Sequence, residues 1–210
     1  MNRLLGARWA GASAIIFAVV FVAVFMYLVG QVFSDMTAKE FSDTYDDSGT
    51  RVLIVAVAML GVYATALLGL FLHHFLGRLR TAEGGEAPLS RLAGTAAMVV
   101  ITTWIVATMA QANVAGAVQF GGFDVPSMET AAFFSQLGTA IVLIGTLAGA
   151  AALMALTAAI AFRTGVLPTW LAWLSVVTAV VSLFGAAFFP AIAFPVWLVA
   201  VGVWQIRATD

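Results

Sequence analysis

Cysteine is absent from the 210-residue chain, and charged side chains are scarce. Without a thiol, the chain cannot carry thiol catalysis, a dithiol relay, an iron–sulfur cluster or a cysteine-based zinc site. Charged residues make up 9% of the sequence, whereas an ordinary soluble domain carries about a quarter. So few charges cannot cover the surface of a water-soluble protein of this length, and the composition therefore indicates an integral membrane protein.

The long apolar segments contain no Asp, Glu, Lys or Arg well inside them. Proton relays, sodium sites and voltage sensors usually place ionisable groups at that depth. Their absence argues against an ion-coupled transporter or pump, and it leaves open a passive pore or a transporter for a neutral molecule.

Histidine occurs only at His73 and His74, near one end of the second apolar segment. Neighbouring residues of a helix point about 100° apart, so the pair cannot ligate one haem from both faces of its ring. One of them could ligate haem with another residue or in a homodimer, which leaves a haem protein as an alternative. No HExxH motif is present, and we expect neither a metal ion nor another cofactor.

Catalytic and nucleic-acid signals are equally sparse. The formal net charge is −1, which gives no basic footprint for nucleic acid. No grouping of nucleophile, acid and base stands out along the chain. We therefore expect a protein that is not an enzyme and that binds no nucleic acid.

Apolar residues, in contrast, make up 63% of the chain, and the mean hydropathy is +1.07. This pattern predicts one all-α domain over residues 1–210, a polytopic bundle of six transmembrane helices. Residues 165–205 carry no charge, and one helix of that length would be roughly 60 Å long, about twice the hydrocarbon core. Pro190 and Pro195 break helical hydrogen bonding and favour a turn between the last two spans. The predicted spans are residues 9–33, 52–76, 92–118, 131–162, 166–189 and 191–206.

Basic residues are distributed unevenly between the two ends of the predicted spans. Seven fall on one side of the membrane and two on the other. Cytoplasmic loops carry such an excess, so we expect a multi-pass protein of the cell inner (plasma) membrane with cytoplasmic N- and C-termini. The seven are Arg3, Arg8, Arg78, Arg80, Arg91, Arg163 and Arg207, and the two are Lys39 and Arg51.

Five of the six tryptophans fall near the predicted ends of the spans. Trp and Tyr are enriched at membrane–water interfaces, where the indole N–H reaches the head groups. The sequence therefore predicts an aromatic belt, with Trp9, Trp170, Trp173 and Trp204 at the inner boundary and Trp197 at the outer one.

The longest predicted loop, residues 34–50, combines apolar and acidic side chains. Ser34 is a candidate helix cap, and Met36, Phe41 and Tyr45 would share the membrane-facing side of a short helix. We expect one or two helical turns lying on the outer surface.

The fourth predicted span carries a stripe of small residues. Gly138, Gly145 and Gly149 share one helical face, and small residues let helices approach closely in lipid. We therefore predict that these glycines pack the fourth helix against a neighbour and that the helix sits centrally. A second, mildly polar face contains Thr139 and Thr146, which would line the path of a passive channel for a neutral solute.

Amide side chains gather in the predicted outer halves of the third and fourth spans. Gln111, Asn113 and Gln136 are costly toward lipid, so we expect them to point into the bundle. They either hydrogen-bond one another across helices or form a pocket for a polar or amphipathic ligand, with Trp104 as an apolar wall. The predicted ligand site consists of these four residues.

Three segments resemble a group of uncharacterised small six-span membrane proteins of actinobacteria, which have no known activity. They are residues 45–51 (YDDSGTR), residues 79–85 (LRTAEGG) and residues 163–173 (RTGVLPTWLAW). The resemblance covers most of the chain, and its motifs are helix entries, a cytoplasmic turn and an interfacial tryptophan pair. It implies the six-span architecture and no catalytic function.

These features favour a membrane protein without a catalytic centre. It would act as an accessory or assembly subunit, or bind lipid or a small hydrophobic ligand. The lipid bilayer is the expected partner, and a membrane-protein partner or a second copy of the chain are further candidates. A passive channel or transporter for a neutral solute and a haem-binding membrane protein stand as alternatives.

Overall fold

The computed structural model of the chain describes residues 2–31, 36–184 and 189–208. These residues form seven helices and a short 3₁₀ turn at Phe189–Ile192, with no β-strand among them. The predicted all-α fold is therefore confirmed. The helices are α1 (Asn2–Val29), α2 (Ala38–Asp46), α3 (Ser48–Glu83), α4 (Pro88–Gly121), α5 (Met128–Thr164), α6 (Thr169–Leu183) and α7 (Ala193–Arg207).

Four helices of the described chain, α1, α3, α4 and α5, are long and apolar enough to cross a membrane. They overlap the first four predicted spans, although α1 ends at Val29 and a turn follows at residues 30–31. The apolar helices α6 and α7 have 15 residues each and are about 22 Å long, which is short of a typical span. The end of the first predicted span at residue 33 and residues 185–188 of the fifth lie outside the described residues.

Six of the described helices pack side by side in a closed ring. α1 lies between α3 and α7, α3 contacts α4, α4 contacts α5, and α6 lies between α5 and α7. The short α2 contacts α3. The fourth predicted span corresponds to α5. It was expected at the centre of the bundle, but it takes one place in the ring, with α4 on one side and α6 on the other.

Aromatic side chains fill the interior of the bundle. The Trp104 indole stacks on the Phe21 ring at a centroid distance of 4.3 Å, and Phe21 meets Phe194 edge-on at 6.0 Å. Phe194 stacks on Trp197 at 6.2 Å, and Trp197 meets the ring of Phe75 at 5.8 Å. All five are at most 1% exposed, so ring contacts connect α4, α1, α7 and α3 through the interior.

Trp197 therefore departs from the predicted aromatic belt. Its indole N–H donates to the Ser175 hydroxyl at 2.8 Å, and the Trp104 N–H donates to the Gly61 carbonyl oxygen at 3.0 Å. A buried indole needs such a partner because an unpaired donor in an apolar interior costs about 1–3 kcal/mol. The belt prediction is wrong for Trp197. Three other members of the predicted belt are exposed, namely Trp9, Trp170 and Trp173.

Glycine brings α5 so close to α4 that no side chain fits between them. A Cβ at Gly138 would lie 2.4 Å from the Cγ of Gln111, well inside the contact distance of two carbon atoms. At Gly145 and Gly149, the same atom would lie 2.9 Å and 3.0 Å from side chains of α4. The structure thus places all three glycines of the predicted packing face against α4.

A π-helical segment, Ile141–Thr146, interrupts α5 between these glycines. Such segments are short bulges that widen an α-helix locally. At its end, the Thr146 hydroxyl lies 3.0 Å from the Thr103 hydroxyl of α4, and Thr146 is wholly buried. The polar face of α5 is therefore used here in the contact with α4.

α1 and α7 approach each other as closely as α4 and α5. A Cβ at Gly11 would lie 2.6 Å from the Gly202 carbonyl oxygen, and a Cβ at Gly202 would lie 2.7 Å from the Gly11 carbonyl oxygen. The same Cβ at Gly11 would lie 2.8 Å from the Cγ1 of Ile206. The contact fixes the last turn of α7 against the start of α1.

The short helix α2 begins at a complete capping box. The Thr37 hydroxyl accepts from the Glu40 N–H, and the Glu40 carboxylate accepts from the Thr37 N–H at 2.8 Å, which lowers the pKa of Glu40. Phe41 and Tyr45 are buried, and burial raises the pKa of Tyr45 to about 12. A short helix thus lies where one was expected, while Ser34, its predicted cap, lies outside the described residues.

Replacing Gly138 by alanine should destabilise the bundle, because the added methyl group has no room between α4 and α5. Overpacking of this kind costs about 1–3 kcal/mol. The matched control is Gly69→Ala in α3, where an added Cβ meets nothing within 4 Å and helix propensity favours alanine by about 1 kcal/mol. Thermal unfolding in detergent, followed by circular dichroism, should give a lower midpoint for Gly138→Ala only. An unchanged midpoint for that variant would contradict the close packing.

Candidate functional site

Gln111, one of the four residues of the predicted ligand site, lies in the interface between α4 and α5. Its Nε2 donates to the Thr139 hydroxyl at 3.1 Å, and that hydroxyl donates to the Ser135 carbonyl oxygen at 3.0 Å. The side chain is buried, and its Oε1 has no hydrogen-bond partner among the described residues. Gln111 thus points into the bundle as expected, and its amide is engaged with α5.

The other three residues of the predicted site are placed differently. Asn113 and Gln136 are exposed, so the prediction that they point into the bundle is wrong for both. Asn113 lies two residues after the buried Gln111, and Gln136 lies two residues before the buried Gly138. Side chains two residues apart on a helix point about 200° away from each other, so these two amides face the opposite side of their helices. Trp104 belongs to the aromatic interior. The structure therefore does not gather the four residues around one cavity.

A pocket of about 760 Å³, lined by polar and apolar side chains, opens at the end of the bundle where α1 begins and where α3 and α7 end. Ala7 of α1 and Val166 of the α5–α6 connection form part of its apolar wall. We call this cavity the α3–α7 pocket, because its polar lining comes from these two helices. The polar residues that line it are His73, His74, Arg78, Thr81 and Gln205.

Helical periodicity brings the α3 residues to this pocket. His74 and Arg78 are four residues apart, as are His73, Gly77 and Thr81, so they form two adjacent rows on one side of α3. His73 and Thr81 are exposed, while His74 and Arg78 are half-buried. Gly77 leaves the opening clear, because a Cβ there would meet nothing within 4 Å.

Arg78 supplies a permanent positive charge to the pocket. Its guanidinium carbon lies 4.5 Å from the centre of the Trp204 ring, in a cation–π contact with α7. The described residues that line the pocket include no Asp or Glu. No carboxylate within the described ranges forms an ion pair with Arg78, so this part of the chain does not neutralise its charge.

Gln205 lies in the wall of the pocket and is 0% exposed. In the described part of the chain, neither its Oε1 nor its Nε2 has a hydrogen-bond partner. Leaving a buried polar group unpaired costs about 1–3 kcal/mol, so two unpaired atoms in one side chain are unusual. The contact between Gly11 and Gly202 accounts for the buried position of Gln205, because it holds the last turn of α7 against α1.

Neither Arg78 nor Gln205 is among the residues predicted to form a site. One signal does point to Gln205, which is the only amide in the uncharged run of residues 165–205. Polar side chains at membrane depth usually face the protein interior or a cavity. No comparable signal distinguishes Arg78 from the other basic residues on its side of the predicted membrane.

The two histidines do not form a metal centre with other side chains of the described chain. The His73 and His74 rings are 5.5 Å apart at an interplanar angle of 85°. No group of three or more His, Asp or Glu side chains is placed, within those ranges, to hold a metal ion. The haem alternative, which needs only one of the two histidines, stays a prediction.

Comparisons of the chain with protein-family models, with curated proteins and with solved structures find no match. The chemistry of the α3–α7 pocket is therefore inferred from its own side chains. Hydrogen-bond donors predominate there, since Arg78 has five N–H groups, the Gln205 amide has two, and the histidines add more. Such a set suits an oxygen-rich ligand.

Gln111→Ala should lower the stability of the bundle, whereas Gln136→Ala should leave it unchanged. The buried side chain at 111 loses its bond to Thr139 and its packing against Gly138, a loss of about 1–2 kcal/mol. The exposed side chain at 136 makes no such contact. Equilibrium unfolding in mixed micelles measures both variants against wild type. Equal destabilisation by the two substitutions would contradict the placement of these amides.

Proposed function

We propose that this chain is a non-enzymatic protein of the plasma membrane that binds a lipid in the α3–α7 pocket. It would cross the bilayer six times, with both termini in the cytoplasm. The ring supports six crossings, because α6 and α7 lie in it beside helices that are long enough to span. The hydrophobic length of these two helices is less than the bilayer thickness, and flanking side chains that reach the interface or local thinning of the bilayer would compensate for the difference. The excess of basic residues at the pocket end of the bundle supports the orientation.

The observation that carries the binding proposal is an open pocket lined in part by Gln205, a buried residue whose amide has no partner in the described part of the chain. The exposed Trp9, Trp170 and Trp173 lie near the same end, at the beginning of α1 and α6. Exposed tryptophans of membrane proteins lie at the level of the head groups. The pocket would therefore open into the head-group layer, where a lipid can offer a polar head to it and apolar tails to the helices around it.

The interior contacts support binding over passage of a solute. A passive channel needs a continuous hydrated path, which the polar face of α5 would line. Thr139 and Thr146 on that face instead contact Gln111 and Thr103 of α4. Stacked aromatic rings fill the interior beside them. Both features favour a sealed bundle with its binding site at one end.

Blocking the pocket should remove the lipid. Gly77→Phe places a large side chain in the pocket opening, whereas Gly69→Phe places the same side chain about two turns earlier on α3, where there is also space. Native mass spectrometry in a mild detergent should find lipid bound to wild type and to Gly69→Phe. We expect roughly tenfold less on Gly77→Phe, which corresponds to about 1.4 kcal/mol of binding free energy.

Two results would contradict this proposal. One is equal lipid retention by all three proteins when their circular dichroism spectra agree. The other is flux of a neutral solute into proteoliposomes that hold the wild-type protein, which would favour the channel.

A further inference from the structure

We propose that the α3–α7 pocket recognises a negatively charged phosphate group that carries or adjoins a hydroxyl group. This inference rests on the proposed lipid binding and names the chemistry of the head group. The Arg78 guanidinium would bind the phosphate oxygens, and the buried Gln205 side chain would turn toward the pocket so that its Nε2 donates to them as well. The Oε1 of Gln205 would accept a hydrogen bond from the hydroxyl.

The charge of the pocket favours an anion. Arg78 is half-buried, and the described residues provide no carboxylate to pair with it. Attraction between opposite charges grows as burial lowers the local dielectric constant. A neutral or cationic ligand would leave the guanidinium charge uncompensated, whereas an anion would neutralise it.

Trp204 determines how Arg78 can meet this anion. The indole covers one face of the planar guanidinium group, with the guanidinium carbon 4.5 Å from the ring centre. The five N–H groups lie in the guanidinium plane, and none donates a hydrogen bond to another described residue. The edge of the group is therefore available for two parallel bonds to the oxygens of one phosphate.

Gln205 specifies the second feature of the ligand. Its Nε2 provides two donors and its Oε1 is an acceptor, and all of them lack partners in a side chain that is 0% exposed. An anionic phosphate accepts hydrogen bonds from Nε2 but offers no donor to Oε1. A neighbouring hydroxyl group on the ligand supplies that donor. A phosphocholine head group has neither a net negative charge nor a hydroxyl donor.

The pocket has room for such a head group. Its volume of about 760 Å³ lies in the range of roughly 300–1,000 Å³ that is common for small-molecule sites. Phosphatidylglycerol combines an anionic phosphate with a hydroxylated head group, and inorganic phosphate at neutral pH offers similar chemistry without tails. Anionic lipids are concentrated in the cytoplasmic leaflet, which is the leaflet that the proposed orientation gives to the pocket.

The test compares two head groups on the full-length protein. The protein is reconstituted in vesicles with equal amounts of phosphatidylglycerol and phosphatidylcholine, extracted in mild detergent, and examined by native mass spectrometry. Wild type should retain phosphatidylglycerol about tenfold over phosphatidylcholine, and Arg78→Gln should lose the preference. The matched control is Arg80→Gln, which removes the same charge from an exposed position outside the lining and should keep the preference.

Gln205→Leu tests the amide independently. Leucine has a similar size and no polar atoms, so it removes two unpaired buried groups. We expect a protein that unfolds at a temperature no lower than wild type and that loses the phosphatidylglycerol preference severalfold. A Gln205→Leu protein that keeps the full preference would overturn the role of the amide.

The outcomes separate this inference from the proposed function. If wild type, Arg78→Gln and Arg80→Gln show the same preference, phosphate recognition is overturned, although loss of lipid from Gly77→Phe would still support lipid binding. If Gly77→Phe retains lipid like wild type, the proposed function fails as well.

Adding inorganic phosphate during extraction identifies the source of the phosphate group. If added phosphate displaces phosphatidylglycerol, free phosphate enters the pocket. If it does not displace the lipid, the site is specific for the lipid head group. Both results uphold phosphate recognition.

Discussion

The filled aromatic interior is the constraint on which the rest of the structure depends. Phe21, Trp104, Phe194 and Trp197 contact one another across α1, α4 and α7. Both indole N–H groups have acceptors on the facing helices α3 and α6, so the rings are buried without unpaired donors. Because side chains occupy the interior, Gln111, Thr139 and Thr146 lie in the contact between α4 and α5, whereas Arg78 and Gln205 lie at the open end of the bundle.

Glycine contacts let the ring of helices close around this interior. For helices as apolar as these, a bilayer offers surroundings as apolar as their side chains, so close backbone approach and dispersion would contribute much of their association there. The glycines of α5 bring it against α4, and Gly11 and Gly202 bring α1 against α7. The second contact also sets Gln205 into the wall of the pocket. Packing in this bundle thereby positions the candidate site.

Helices and small-residue faces can be predicted from this sequence because both are local properties of composition and periodicity. The direction in which a single polar or aromatic side chain points cannot be predicted in this way. It depends on the rotation of its helix about the helix axis, which packing against the neighbouring helices sets. Asn113 and Gln136 therefore turned out to be exposed, and Trp197 turned out to be buried. The pocket joins the ends of α1, α3 and α7, which are far apart in sequence, and no local pattern relates Arg78 to Gln205.

The side-chain amide of Gln205 is the most direct probe of the proposed site. The chain has few glutamines, so their amide signals can be assigned by nuclear magnetic resonance with single Gln→Leu variants. On titration of phosphatidylglycerol into the detergent-solubilised protein, we expect the Nε2–H resonances of Gln205 to shift as they bond to phosphate. The exposed Gln136 should keep its position. A Gln205 signal that stays in place at saturating lipid, or that moves equally with phosphatidylcholine, would contradict phosphate binding in the α3–α7 pocket.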